Sequence, residues 1–369
     1  MHKVKIHTLF EYLLETTEAE PEAFVGFSLA EPPRLGAFLD DLDPDLPLDW
    51  NGQDFRGLPA LRRHVLGRAG LDLPVESVLI TAGAAEANYL ALRQLVPPGA
   101  KIVTEAPGWP QVAVMADAIG AELVSVPRDE DAGWALDLDA LAAAAQGATM
   151  IFLTNPNNPT GRMIREEELR DIVSIAARND AWLLVDECYA GLEWAGPRPP
   201  SVAGLYAKGI TTGSVSKALG LQGLRTGWMI CQDEDAIRDA FILRENSSEI
   251  MNILGEVIAE IALREDRYAE KLHAVRADAR ATLARLDAFV ASEPKLSWQK
   301  PEAGLIGLAR LEGLDGDSFA RRLLAEHRTF LLPGSAYGQP RHIRVGVGGG
   351  EAANLALGLA RMSDLLTSL

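Results

Sequence analysis

Apolar residues fall along this chain in short β-branched runs, each followed by a stretch with helical spacing. "SVLITAG" (77–83) gives way to "AAEANYLALRQLV" (84–96), "AKIVTEA" (100–106) to "QVAVMADAIGA" (111–121), and "ATMIFLTN" (148–155) to "EEELRDIVSIAARN" (166–179). Two more such runs follow, "AWLLVDE" (181–187) and "GITTGSV" (209–215). Strands that are apolar on both faces must be covered on both faces, so this alternation predicts an α/β fold with a mostly parallel sheet. Beyond about residue 235 the pattern turns helical, most plainly over "YAEKLHAVRADARATLARLDAFV" (268–290). A mixed tail then predicts strands at "AGLIGLARL" (303–311), "RTFLLPG" (328–334) and "HIRVGVG" (342–348), and a closing helix from Glu351. The opening "MHKVKIHTLFEYLLETTEAE" carries charges among its apolar positions and no small-residue cleavage site, which predicts an amphipathic helix rather than a secretory signal. The simplest partition is a large α/β domain over 46–265 and a small α+β domain over 266–369, to which the segment 1–45 also contributes.

Ligands of open α/β sheets gather at the carboxyl ends of the strands. Read in order, those ends deliver Gly83, Ala84 and Ala85 before a helix, Trp109, Asn158 in "NPNNPTG", Asp186 and Tyr189 in "DECY", then Ser214, Ser216 and Lys217, with Arg225 close behind. The small residues allow an anion to approach a helix N-terminus. A lysine that can lose its proton is able to form a Schiff base with an aldehyde. An aspartate at a strand end can keep a pyridine nitrogen protonated. Tyrosine and asparagine can hydrogen-bond a phenolic oxygen, an indole can stack on the ring, and Ser214 with Arg225 can hold a phosphate. Together these groups describe a pocket for pyridoxal 5′-phosphate. Taken singly each has a plainer reading: a solvated lysine, a turn aspartate, a proline-flanked turn asparagine, a core tryptophan. Their order and co-occurrence argue against that.

Charge narrows the partners. With 35 Lys and Arg against 52 Asp and Glu among 369 residues, the net charge is −17. Such a surface repels nucleic-acid phosphates and anionic lipid headgroups. No run approaches the roughly 18 apolar residues of a membrane span. The two cysteines, Cys188 and Cys231, have no metal-ligand spacing and fit a reducing compartment, and the six histidines are scattered, so no metal is assigned and a cytoplasmic location is expected. "GVGGGE" (346–351) resembles a dinucleotide loop, but too little chain follows for a βαβ unit, and a strand-to-helix turn is expected there.

"NPNNPTG", "DECY" and "SVSKALGLQGLRTGW" occur in the order and spacing found in fold type I, class I/II pyridoxal-phosphate-dependent aminotransferases, and the chain resembles that family from about residue 25 to its end. The resemblance implies a mostly parallel seven-stranded sheet in the large domain and a homodimer acting on an α-amino acid and a keto acid. By the same likeness Lys217 is the internal-aldimine lysine, Asp186 the partner of the pyridine nitrogen, and Tyr189 and Asn158 the contacts of the phenolic oxygen. Trp109 would stack, Ala84, Ala85, Ser214 and Arg225 would hold the phosphate, and Arg344 would clamp the substrate carboxylate beside Asn158 and Ala30. Three positions depart from the pattern. Gly52 stands where many relatives carry a tyrosine, with Trp50 or Gln53 as neighbours that can partly substitute; Ala30 replaces a glycine; and the phosphate turn reads "GAAEA" where many relatives have a longer polar residue at the position of Ala85 or Glu86. These features resemble the branch that includes capreomycidine synthases, which sets a lyase or cyclase acting on an arginine-like amino acid beside the aminotransferase reading. Glu245 and Glu249 in "RENSSEIMN" (244–252) would pair with such a cationic side chain. A catalytically idle module would lack the lysine or the aspartate, and both are present.

Overall fold

A computed structural model describes residues 2–49, 54–348 and 352–369. The chain begins with the expected amphipathic helix, Thr8–Glu18. A short strand, β1 (Ala23–Phe24), follows. The central sheet is built from β2 (Val78–Thr81), β3 (Lys101–Ala106), β4 (Glu122–Asp129), β5 (Ala135–Leu136), β6 (Met150–Thr154), β7 (Trp182–Asp186), β8 (Gly209–Ser214) and β9 (Gly227–Cys231), in the order β2-β9-β8-β7-β6-β3-β4-β5. Its centre is parallel, while β9 runs antiparallel to both β2 and β8 and β5 antiparallel to β4. The sheet thus has eight strands, the eighth being the two-residue β5 at its edge.

Alternation along each strand sends successive side chains to opposite faces. Leu79, Ile102, Phe152, Leu184 and Ile210 pack with the helices Ala84–Leu95, Gln111–Ile119 and Glu234–Glu245 on one side. Val103, Ile151, Leu153, Leu183 and Val185 pack on the other with the helices Leu138–Ala144 and Glu166–Arg178. Burying a branched side chain of this size contributes about 1.5–3 kcal/mol, so both helical layers are held by the strands they cover. Two buried arginines tie the chain near residue 55 to the sheet margin. Arg62 donates to the carbonyls of Gly57 and Val75 at 3.1 and 3.0 Å, and Arg244 to those of Ile80 and Phe55.

The helical region after residue 235 comprises Glu234–Glu245, Ile253–Leu263 and Glu265–Ser292. A second sheet joins β10 (Leu296–Trp298), β11 (Ile306–Leu311), β13 (Leu332–Pro333) and β14 (His342–Gly346), and β12 (Thr329–Phe330) pairs in parallel with β1. The single strand expected over 328–334 is therefore two: Phe330 pairs with β1 and Leu332 with β14, so the chain changes sheets at Leu331. The closing helix is described from Ala352 to Ser368. Glu351, the end of "GVGGGE", and Trp50, Gly52 and Gln53 lie outside the described residues.

Candidate functional site

A cavity of about 420 Å³ opens at the carboxyl ends of β6, β7 and β8. Ala84, Ala85, Trp109, Asn158, Asp186, Tyr189, Ser214, Ser216, Lys217 and Arg225 all line it. The parallel strands end side by side, which is why residues scattered over the sequence converge on one rim.

The anion cradle is the part most tightly specified by backbone geometry. Gly83 has φ +87° just before the helix Ala84–Leu95, and a Cβ there would run into the Arg225 guanidinium. Arg225 itself has φ +51° and donates to the carbonyl of Ala82 at 3.0 Å. The first N–H groups of a helix have no intrahelical acceptor and carry the positive end of its dipole, so this corner can hold a phosphate between the helix, Ser214 and Arg225.

Asp186 closes β7 and is 7% exposed. Its Oδ2 accepts from Asn88 Nδ2 at 2.7 Å and its Oδ1 from the Cys188 N–H at 3.0 Å. Asn88 Oδ1 in turn accepts from Thr212 Oγ1 at 2.7 Å. The Trp109 indole donates to Gln111 Oε1 at 3.2 Å, and the same oxygen accepts from Asn88 at 3.3 Å. One hydrogen-bond network therefore fixes both the carboxylate that can face a ring nitrogen and the indole that can cover a ring.

Lys217 lies across the cavity, its Nζ 5.7 Å from the Tyr189 ring centroid. Burial, and then the positive charge of Arg344, push its ammonium down to about 8. That makes the neutral, nucleophilic amine accessible near physiological pH. Burial also pushes the Tyr189 phenol up to about 12, so it remains a hydroxyl donor. Beneath the Asn158 turn, the buried Glu105 accepts from Thr154 N and Oγ1 at 2.8 and 2.6 Å and from Arg128 Nε at 2.8 Å. This pair braces the end of β6 from which Asn158 is presented.

Arg344 and Ala30 do not line this cavity. Arg344, on β14 and 6% exposed, stands behind Asn158, with 3.5 Å between its Nη1 and Asn158 Oδ1. Its Nη1 donates to the Tyr337 hydroxyl at 2.7 Å and its Nη2 to the Gly26 carbonyl at 2.9 Å, while its Nε is buried without a hydrogen-bond partner. A buried donor left over in this way suits an incoming carboxylate. Ala30 donates its N–H to the Lys217 carbonyl at 3.0 Å, and its side chain faces a separate opening with Val275 and Leu355. Glu245 and Glu249 are exposed and not part of the cavity wall. Asn88, Gln111, Glu105 and Tyr337 were not singled out from sequence. Among the described residues no group of His, Cys, Asp and Glu is arranged to hold a metal ion, and no helix is long and apolar enough to cross a membrane.

A positively framed phosphate corner, a fixed carboxylate and a low-pKa lysine around a ring-sized cavity fit pyridoxal phosphate, and the fold that carries them is that of the fold type I enzymes using it. Residues 50–362 match the family described as aminotransferase class I and II. An aspartate aminotransferase of Musicola paradisiaca is 29% identical over 72% of this chain and 67% of its own length. The capreomycidine synthase of Streptomyces vinaceus is 30% identical over 79% of this chain and 75% of its own. The crystal structure of a pyridoxal-phosphate-dependent aminotransferase from Streptococcus suis superposes with a TM-score of 0.92 at 26% identity, covering 100% of this chain and 99% of that one. The chain belongs to the class I and II aminotransferase family and is a pyridoxal-phosphate-dependent enzyme.

Proposed function

We propose that the protein transfers the amino group of an α-amino acid, with Lys217 as the residue that holds the cofactor's aldehyde covalently. The observation that carries this reading is the depressed lysine on the same cavity wall as Asp186 and the Arg225 corner. When bound, pyridoxal phosphate supplies an aldehyde that captures the amino group and a ring that accepts the electron pair left at Cα. Asp186 keeps a proton on the ring nitrogen, held in place by Asn88. Tyr189 and Asn158 would hydrogen-bond the phenolic oxygen, Trp109 would cover the ring, and Ala84, Ala85, Ser214 and Arg225 would hold the phosphate. Arg344 receives the substrate carboxylate on its free Nε. Lys217 Nζ, as a free amine, would be the base that takes the Cα proton.

The enzyme is read as a homodimer by its family, and as cytoplasmic by its two cysteines without metal-ligand spacing. A division at residues 45 and 265 into a large and a small domain is supported by the two main sheets, whose strands fall within 78–231 and 296–346. The similarity to capreomycidine synthase supports a second reading, elimination and ring closure on an arginine-like amino acid. One experiment separates them. The holoenzyme mixed with an amino donor and no acceptor releases one equivalent of keto acid and retains the aminated cofactor if it transaminates. Release of a leaving group, with the original absorbance restored, would replace the first reading with the second.

A further inference from the structure

We propose that Glu130, in the turn between β4 and β5, is a positioning residue for the carboxylate-binding arginine: by clasping Arg310 and His342 it fixes the β11–β14 ribbon to the central sheet and so sets where Arg344 stands relative to Lys217. The inference rests on the function proposed above, from which Arg344 takes its role.

β11 and β14 pair antiparallel, with Arg310 opposite His342 and Leu308 opposite Arg344. Side chains two positions apart in a strand share a face, so Arg310, His342 and Arg344 all stand on one face of this ribbon. Glu130 meets that face from the central sheet. Its Oε1 accepts from Arg310 Nε at 3.2 Å and from His342 Nε2 at 3.0 Å, and its Oε2 from Arg310 Nη2. Such a forked pair fixes direction as well as distance. Burial disfavours the Glu130 charge, but the hydrogen bonds from Arg310 and His342 outweigh it and hold the carboxyl below its usual range, so the clasp is ionic at neutral pH.

The clasp stands on a braced base. Two positions before Glu130, the buried Arg128 donates to Glu105 Oε2 at 2.8 and 2.6 Å and, across the turn, to the Trp134 carbonyl at 2.7 Å. Trp134 is buried and edge-on to the His342 ring, 5.7 Å between centroids. Glu105 also accepts from Thr154, so Glu130 and the Asn158 turn share one support. The start of β11 is tied down separately, where the Glu302 and Ala303 N–H groups both donate to the Gly161 carbonyl at 3.0 Å. Leu308, with Arg344 opposite it, lies between these two ties. A single tie at Gly161 would let the ribbon pivot, and Glu130 supplies the second point that stops it. An ion pair this far from water adds little net stability once desolvation is counted, so its effect is read in placement.

The test separates reach from charge. Glu130→Asp keeps the charge and loses one methylene of reach, while Glu130→Gln keeps the reach and Oε1 but loses the charge. The assay is the pH dependence of pyridoxal phosphate uptake by the cofactor-free protein. Burial, and then the Arg344 charge, bring Lys217 down to about 8; Cys188, Asp186 and Arg225 also act on it and stay in place. An Arg344 that has moved away raises the midpoint, whereas loss of the Glu130 charge by itself lowers it. Glu130→Asp should therefore move the midpoint up, toward that of Arg344→Gln and not beyond it. Glu130→Gln should not raise it, and Glu130→Asp should add nothing in an Arg344→Gln background. KM for the amino donor should rise about tenfold in Glu130→Asp, within the roughly 10²-fold that an ångström of misplacement can cost. A midpoint unmoved or lowered in Glu130→Asp, or raised equally when Arg344 is already replaced, overturns the proposal. So does a rise in Glu130→Gln as large as that in Glu130→Asp. If the midpoints behave as expected but no amino acid yields a keto acid, the clasp stands and the transaminase reading falls.

Discussion

Capture of an aldehyde needs the neutral form of Lys217, so the pH dependence of cofactor loading reports directly on its surroundings. The unperturbed lysine value is 10.5, and burial followed by the Arg344 charge brings it down to about 8 here. At pH 7 the neutral fraction is then on the order of 10²-fold larger than that of an ordinary lysine. The perturbation is Arg344→Gln, which removes the second cause and leaves burial, so the midpoint should move up and loading at pH 7 should slow while the high-pH plateau is retained. The assay is rapid mixing of cofactor-free protein with pyridoxal phosphate from pH 6 to 10, following the yellow band. The parent rate should rise with pH and bend near 8, and the variant should bend at a higher pH. A parent bend at the ordinary lysine value, or a downward move in the variant, refutes the reasoning. The same shift has a stability consequence. Because the folded value lies below the unfolded one, the unfolded chain binds more protons between them, and the cofactor-free protein gains stability as pH rises through that window.

Two substitutions test the groups around the lysine. Asn88→Ala removes the 2.7 Å hydrogen bond to the Asp186 carboxylate; a bond to a charged acceptor contributes about 1.5–3 kcal/mol, so kcat should fall by roughly 10- to 150-fold, with a change in the absorbance of the bound cofactor that a merely structural role would not produce. Arg344→Lys loses the planar fork and should mainly raise KM for the amino donor while cofactor content stays unchanged in the purified protein; release of the cofactor would make Arg344 a cofactor residue instead.

Much of the fold was legible because parallel strands buried on both faces write themselves as near-continuous apolar runs, as in Met150–Thr154 and Trp182–Asp186. The strand Glu122–Asp129, next to the edge, escaped, since one face carries the exposed Ser125, Pro127 and Asp129 and breaks the run. The antiparallel strand Gly227–Cys231 was hidden by the glycines around Arg225, which the sequence presents as a loop. That Ala84, Ala85, Trp109, Asn158, Asp186, Tyr189, Ser214, Lys217 and Arg225 share one cavity was readable because motif order places them at consecutive strand ends. Their supports were not: Asn88 meets Asp186 across 98 positions, and Glu105 reaches Thr154 across 49, with nothing local to signal either contact. Ala30 was expected at the substrate for the residue it replaces, whereas its contact with the site runs through its backbone to Lys217.

The central claim is that Lys217 carries the cofactor, and borohydride reduction of the holoenzyme followed by peptide mapping tests it most directly. Reduction should fix one cofactor equivalent on the peptide containing Lys217, and Lys217→Ala should give no covalent adduct and no turnover. Label on another lysine, or a parent protein that takes up no pyridoxal phosphate, would contradict the account.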